Sequence, residues 1–245
     1  EWRLSNLIIQ SLNLFPNINK YFVTNNFSDV QKLINKDDKI LPHSYFHQLP
    51  RQPSSREIRN SKNINFPLIS VNKKILSHVK RDFDIISKKK KVILISLTED
   101  KLEFKSNLEE WLKFAQNLNK KLYCPIFISD HSFVSYSLFS EFKNNFYHKA
   151  VWSVELRAAA YQNAYLNMSV GHGPMELCYY NHKVKYIVFF KSSSMTYKPN
   201  NIRKLSGWKI GKNLSFANKY QKIIWEEDNF KNISREFKNS LRRLK

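Results

Sequence analysis

Short apolar runs that alternate with helix-like segments define the second half of the chain. There are six such runs, each rich in apolar, β-branched or aromatic residues, and each predicts a strand: VILISL (92–97), CPIFIS (124–129), AVW (150–152), YLNMSV (165–170), KYIVFF (185–190) and KIIW (222–225). Strands that alternate with helices predict a parallel sheet covered by helices. We therefore expect a complete, mostly parallel six-stranded Rossmann-like α/β domain from about Val92 onward.

Two helices of this region carry clear sequence signals. Ser106 and Glu109 form an S-x-x-E capping box, and one apolar face follows it: Leu108, Trp111, Leu112, Ala115 and Leu118. The last helix is predicted to begin after Asp228 as its N-cap. Its apolar stripe is Phe230, Ile233, Phe237, Leu241 and Leu244, beside a basic stripe of Lys231, Arg235, Lys238, Arg242 and Lys245. Such a helix packs on a core or lies on a membrane, and core packing is the commoner outcome.

Residues 1–88 give a less regular pattern and predict a separate, shorter N-terminal α/β domain that looks incomplete. This part contains a long polar loop from residue 43 to residue 67 and a helix, Val71 to Ile86, that would connect the two halves. Long loops in compact domains are usually functional or disordered. Residues 89–245 would then form the ligand-binding C-terminal domain.

The charge is the most unusual feature of the composition. Lys and Arg total 41 against 20 Asp and Glu, a net charge of +21, which suits a polyanionic partner or an anionic membrane. An A/T-rich coding sequence would produce the same excess, and the run Lys88 to Lys91 lies at a predicted helix end, where basic charge is favourable. No apolar run approaches the ~20 residues of a membrane span, and two cysteines make no disulfide framework. We expect a cytoplasmic protein with at most peripheral contact at the inner face of the membrane.

The stretch NMSVGHGPMELCYY (167–180) contains two of the four glycines of the chain. It predicts a strand, a turn and a helix, with Pro174 at the first helical position. Gly171 and Gly173 would permit positive φ and the close approach of another group. Turns at the carboxyl ends of parallel strands bind ligands, and a helix N-terminus favours phosphate. A tight turn with nothing bound explains the pattern equally well. A P-loop lysine and a full G-x-G-x-x-G are both missing, which disfavours a nucleotide triphosphatase and an ordinary NAD site.

The segments LNMSVGHGPMEL and KYIVFF resemble the phosphate-contacting part of the C-terminal domain of GT-B glycosyltransferases, especially heptosyltransferase-like enzymes. Other segments, among them YCPIFISD, ELRAAAYQNAY and FANKYQKIIWEEDNFKNISREF, resemble a group of bacterial glycosyltransferase-like proteins. The resemblance covers roughly residues 92–237. It implies a GT-B-like α/β fold and transfer of a sugar from a nucleotide-diphosphate sugar to a glycan or lipid-linked acceptor, without metal or cofactor. The implied donor-binding residues are Asp130, Arg157, Gly171, His172, Gly173, Pro174, Met175 and Glu176.

Each charged candidate also has an ordinary structural explanation. Asp130 follows a strand end, where it could contact a ribose or a sugar, or only form the turn. Arg157 could bind a pyrophosphate bidentately or pair with a local acid such as Glu155. Glu176 could hold a nucleotide ribose or lie on a solvated helix face. The sequence leaves both alternatives open for each of the three.

The catalytic base would come from the long N-terminal loop. His43, His47 and Glu57 are the candidates, because an imidazole titrates near neutral pH. The chain departs from the resemblance at Glu99, where that group tends to carry arginine, and at Gly171, where Ser, Thr or Asp is common. These departures leave open a non-catalytic binding protein of the same fold that docks on nucleic acid or acidic glycan. No RNP, KH or zinc motif supports RNA binding, so nucleic acid is not the expected partner.

Overall fold

The computed structural model describes residues 10–15, 18, 20, 26, 28–29, 32, 69–99, 105–129, 137–191 and 207–244. Its centre is a parallel sheet with the strand order β2-β1-β3-β4-β5. In chain order the strands are β1 (Lys91–Leu97), β2 (Tyr123–Ser129), β3 (Leu166–Val170), β4 (Tyr186–Phe189) and β5 (Gln221–Ile224). Almost every strand residue is buried, as continuous apolar runs predict for a sheet covered on both faces. The predicted parallel α/β architecture is confirmed.

Helices cover both faces of the sheet. They are α1 (Gln10–Leu12), α2 (Lys73–Ser87), α3 (Leu108–Gln116), α4 (Lys149–Trp152), α5 (Val154–Asn163), α6 (Glu176–Tyr179) and α7 (Phe230–Arg243), with 3-10 turns at Ser140–Asn145 and Gly173–Met175. α3 and α7 pack on the face that carries Ile93 and Ile95, whereas α2, α5 and α6 pack on the face that carries Val92 and Leu94. Because successive side chains of a strand point to opposite faces, β1 contributes to both cores.

The predicted AVW strand is wrong, because residues 149–152 form α4. Three residues are too few for periodicity to distinguish a strand from a helix. Within the described residues, the outer edge of β2 pairs with the chain only through one parallel bridge between Phe127 and Phe146. The rings of these two residues stack with their centroids 5.2 Å apart. Counting this bridge as a reduced third strand gives the order 3-2-1-4-5-6 of Rossmann folds.

The helix predicted from Val71 to Ile86 is confirmed as α2, and it packs on the sheet. Val79 and Phe83 are buried in the core that α2 shares with α5. The helix turns into β1 through Lys88 and Lys89, which both adopt positive φ. The domain boundary after residue 88 stays a prediction, but α2 itself belongs to the core of the parallel sheet.

The apolar stripe of α7 packs in the core, as its spacing predicts. Ile233 and Phe237 are buried, and the Phe237 ring meets the rings of Phe114 and Tyr123 at centroid distances of 5.3 and 5.4 Å. The basic stripe stays exposed at Lys231, Arg235, Lys238 and Arg242. Because the apolar stripe is buried, this helix could contact a membrane only through the electrostatic attraction of its basic stripe.

Glu236 joins α7 to β5 and makes the stability of the fold depend on pH. Its carboxylate is 5% exposed and lies 3.2 Å from Lys222 Nζ and 3.0 Å from Arg235 Nε. Burial alone would raise the pKa of Glu236, but the hydrogen bonds from Arg235 and Lys222 outweigh it, so the pKa lies below its ordinary value. A carboxylate with a lowered pKa stabilises the fold above its unfolded-state pKa of about 4.3, and this stabilisation is lost as the pH falls through the lower, folded-state value.

We therefore expect Glu236→Gln to melt below the wild-type protein at pH 7, and to approach the wild-type melting temperature as the pH falls from about 4.3 through the lowered folded-state pKa of Glu236. Thermal unfolding followed by circular dichroism across this range measures the difference. An equal gap at both ends of the range would contradict the assignment of the stabilisation to the charged carboxylate.

Candidate functional site at the carboxyl edge of the sheet

The winding of the sheet reverses between the neighbouring strands β1 and β3. α3 follows β1 and packs on one face, whereas α6 follows β3 and packs on the other. Open α/β sheets bind ligands in the crevice outside the carboxyl ends of two such strands. The Ser169 hydroxyl donates to the Ser96 carbonyl at 2.8 Å and joins the two strand ends. The turn formed by residues 171–175 therefore lies at the point where this fold places its ligands.

The two glycines of this turn serve different purposes. Neither has the positive φ expected from the sequence, a conformation that occurs instead at Gly207 and Gly211. A Cβ at Gly171 would lie 1.8 Å from Cε1 of Phe190, so the ring leaves no room for a side chain. A Cβ at Gly173 would meet no atom of the described part of the chain within 4 Å. The close approach expected from the sequence occurs at Gly171, and the group that approaches is the ring of Phe190. Gly173 faces open space.

The chain leaves the turn through a short helix. Pro174 lies in the first turn of the 3-10 segment, as predicted, but the longer helix predicted for MELCYYN is reduced to the four residues of α6. The Met175 side chain is fully buried and belongs to the core. A four-residue helix has a small dipole, so phosphate binding by the helix terminus loses support. Open space and backbone groups around Gly173 are what this turn offers a ligand.

His172 is held in one orientation by the end of β3. Its Nδ1 lies 2.7 Å from the Val170 carbonyl oxygen and 3.1 Å from Ser169 Oγ. A carbonyl only accepts, so Nδ1 carries a proton and donates to it. Glu176 is half-buried in the first turn of α6. An oriented imidazole and a carboxyl group thus flank the open backbone of Gly173 along the chain.

Arg157 is buried and braces the carboxyl end of β2. Its Nε donates to the Ala150 carbonyl at 2.9 Å, and its Nη2 donates to the Ser129 carbonyl at 2.7 Å. These bonds tie α5 to α4 and to the last residue of β2. The contacts show a positioning role for Arg157, and its contact with a pyrophosphate stays a prediction.

Both predicted helix caps at this edge are wrong. Ser106 Oγ accepts from the Thr98 N–H at 3.1 Å and therefore does not cap α3. α7 is capped by Asn229, whose side chain accepts from the Asn232 N–H at 2.9 Å, and not by Asp228. At each helix start two residue types that commonly cap helices are adjacent, Ser106 with Asn107 and Asp228 with Asn229. The local sequence therefore does not determine which of the two is the N-cap.

Asp228 instead joins three segments through a buried carboxylate. Its Oδ2 accepts from the Asn107 N–H and from Trp111 Nε1, both at 2.8 Å, and its Oδ1 lies 3.1 Å from Lys191 Nζ. Rossmann folds bind phosphate at the helix that follows the first strand. Here the start of that helix, α3, already contacts a carboxylate of the protein, and a second anion would be repelled. The turn at residues 171–175 is therefore the favoured place for an anionic ligand at this edge.

An open cavity of about 400 Å³ adjoins the Asp228 network. Lys191 forms part of its wall and directly follows Phe190, whose ring packs on Gly171. The volume is within the range of small-molecule sites. The wall consists of Lys105, Ser106, Asn107, Leu108, Glu109, Leu138 and Lys191.

Four predicted site residues lie outside the described residues: His43, His47, Glu57 and Asp130. Their roles stay predictions. Sequence reasoning missed Asp228 and Lys191 as parts of this edge. No local signal could have identified the Asp228 contacts, because they join residues 117 and 121 positions apart.

The two cysteines, Cys124 and Cys178, are free, and both are buried. Burial raises the pKa of both thiols. Within the described residues, no group of three or more His, Cys, Asp or Glu side chains could hold a metal ion. None of the described helices combines the length and the apolar character that crossing a bilayer requires.

Comparison with known proteins gave one structural likeness. No protein-family model matches the sequence, and no curated protein matches it. The crystal structure of the glycosyl transferase family 9 from Veillonella parvula DSM 2008 matches with a TM-score of 0.44 and 10% identity, over 70% of this chain and 45% of that one. This chain thus covers less than half of the matched structure. A TM-score below 0.5 is too low to assign an activity or a ligand.

Proposed function

We propose that the chain is a glycosyltransferase-like protein that binds a nucleotide-diphosphate sugar at the turn of residues 171–175. The open space at Gly173, at the winding reversal of a parallel sheet, is the observation that carries the proposal. The segment around this turn also resembles the phosphate-contacting segment of GT-B enzymes. A Rossmann-like fold alone supports many functions, so the turn carries more weight than the fold.

In the proposed reaction, the bond between the anomeric carbon and the diphosphate oxygen breaks, and the diphosphate leaves with the bonding electrons. The acceptor hydroxyl oxygen forms the new bond to the anomeric carbon, and a base takes its proton. His43, His47 or Glu57 would be that base. The backbone N–H groups near Gly173, together with Arg157, would stabilise the departing charge.

Asp130, Glu176 and the turn itself are the remaining proposed donor contacts. Asp130 and Glu176 would contact the ribose or the sugar, and the turn itself would approach the diphosphate. The proposal includes no cofactor and no metal ion, since cationic side chains and backbone groups would offset the diphosphate charge. The acceptor would be a glycan or a lipid-linked saccharide.

A thermal-shift screen of the whole chain with UDP, GDP, ADP and CMP tests the proposal. One nucleotide is expected to stabilise the fold by about 2 to 3 kcal/mol at saturating concentration. A pocket for one diphosphate should lose little affinity between low and moderate salt, unlike a surface that binds many phosphates. Stabilisation by none of the four nucleotides, or by all of them with a steep salt dependence, would contradict the proposal.

Gly173→Val is expected to abolish this stabilisation. The branched side chain would fill the open space that the diphosphate needs, while the apo protein keeps its melting temperature because no atom of the described residues lies within 4 Å of the new Cβ. Gly173→Ala should give an intermediate loss. Titration calorimetry with the selected nucleotide measures both, and wild-type affinity in a folded Gly173→Val protein would exclude the turn as the site.

A further inference from the structure

The edge of the sheet opposite the candidate site is strongly basic. The turns that lead into the five strands form this edge, together with the end of α7, which reaches it because Phe237 packs on the first residue of β2. The sequences of these segments are KKKK (88–91), NKKL (119–122), AY (164–165), NHKVK (181–185), NKY (218–220) and LRR (241–243). All except AY contain Lys or Arg, and none contains Asp or Glu. We call these segments the amino-edge surface.

Contacts between neighbouring turns make this surface continuous. The Lys91 N–H donates to the Leu122 carbonyl at 3.0 Å. The Nζ atoms of Lys91 and Lys185 lie 4.6 and 5.4 Å from the centre of the same Tyr165 ring. The Tyr220 carbonyl accepts from the first residue of β4. The lysines therefore belong to one face and are not scattered over the molecule.

Two large aliphatic side chains are exposed among these lysines. Leu122 is 54% exposed and directly follows Lys120 and Lys121, and Ile85 is 77% exposed in the last turn of α2, between Asp84 and the run Lys88 to Lys91. Exposed aliphatic groups surrounded by lysines are typical of surfaces that lie on anionic lipid, where the aliphatic groups enter the interface and the ammonium groups meet the headgroups.

We propose that the amino-edge surface docks on an anionic lipid bilayer, with Leu122 and Ile85 entering the headgroup region. A nucleic acid fits less well. Most of the cations are lysines, whereas phosphate recognition by nucleic-acid binders favours the guanidinium fork. The rings of Tyr165 and Tyr220 are covered by lysine ammonium groups and are not presented for base stacking. This proposal does not depend on the proposed transferase function.

Co-sedimentation of the full chain with phosphatidylcholine vesicles that contain about 30% phosphatidylglycerol tests the proposal. Replacing Lys89, Lys120 and Lys121 with Gln is expected to weaken binding at least about 10-fold, since each lysine near an anionic surface contributes to the attraction. The matched control replaces Lys113, Lys209 and Lys212, which are exposed away from this edge, and should weaken binding less than about 3-fold. Leu122→Gln should abolish the fraction of binding that persists at high salt.

Equal weakening by both triple variants would overturn the proposal, because net charge alone would then explain the attraction. Equal binding to vesicles of pure phosphatidylcholine would also overturn it. The proposal would be overturned as well if a single-stranded RNA oligonucleotide bound more tightly than the vesicles and if this binding weakened on the same amino-edge substitutions. Circular dichroism of all variants separates loss of binding from loss of fold, and the Leu122→Gln protein supplies a variant of unchanged charge.

Discussion

Asp228→Ala is expected to destabilise the fold by about 3 to 5 kcal/mol, the range for breaking a buried ion pair by removing one partner. The substitution leaves Lys191, whose side chain is 16% exposed, without its carboxylate. It also removes the acceptor of the part-buried Asn107 N–H and of Trp111 Nε1, and the fully buried indole N–H would lose its partner. Urea denaturation measures the loss in the free energy of unfolding.

Two control variants separate the causes of this loss. Asp228→Asn keeps an acceptor oxygen and should cost less than Asp228→Ala, with the remaining cost due to the missing charge. Glu226→Ala removes an acidic side chain two residues away that is 45% exposed and pairs with Arg235, and should cost less than about 1 kcal/mol. A loss at Asp228 no larger than the loss at Glu226 would show that the buried network does not hold these segments together.

Gly171→Ala is expected to cost about 3 kcal/mol in the free energy of unfolding, although it adds a single methyl group. The new Cβ would lie 1.8 Å from Phe190 Cε1. The ring has little freedom to move, because Trp208 and Trp225 pack against it with centroids at 4.8 and 5.1 Å. The same substitution at Gly173, where a Cβ meets nothing, should change stability by less than about 0.5 kcal/mol.

A double-mutant cycle tests the cause of the Gly171 effect. In a Phe190→Leu background the ring is gone, and Gly171→Ala should cost clearly less than in the wild-type background. Thermal or urea unfolding of the four proteins gives the coupling energy. Equal costs in both backgrounds would show that a group other than the Phe190 ring requires glycine at this position.

The strands were predictable from sequence because burial on both faces demands continuous apolar runs, and five runs of sufficient length mark them. The AVW run failed because three residues carry no periodicity. The position of the glycine turn followed from a strand end with glycine and proline, but the role of Gly171 did not, since it depends on the ring of Phe190, which follows the neighbouring strand β4. The caps failed for a related reason: Asp228 has the local sequence of a cap but contacts α3, far away in the chain.

Because the strands are parallel, the amino-edge surface and the candidate site at the carboxyl edge are separated by the length of a strand. β1 and β2 each span seven residues, which at ~3.3 Å per residue places the two edges roughly 20 Å apart. This separation exceeds the Debye length of about 8 Å at physiological ionic strength. The proposed adhesion at one edge and the proposed ligand binding at the other would therefore have little electrostatic influence on each other. A saccharide carried by a lipid in the same bilayer would need several sugar units to reach the glycine turn.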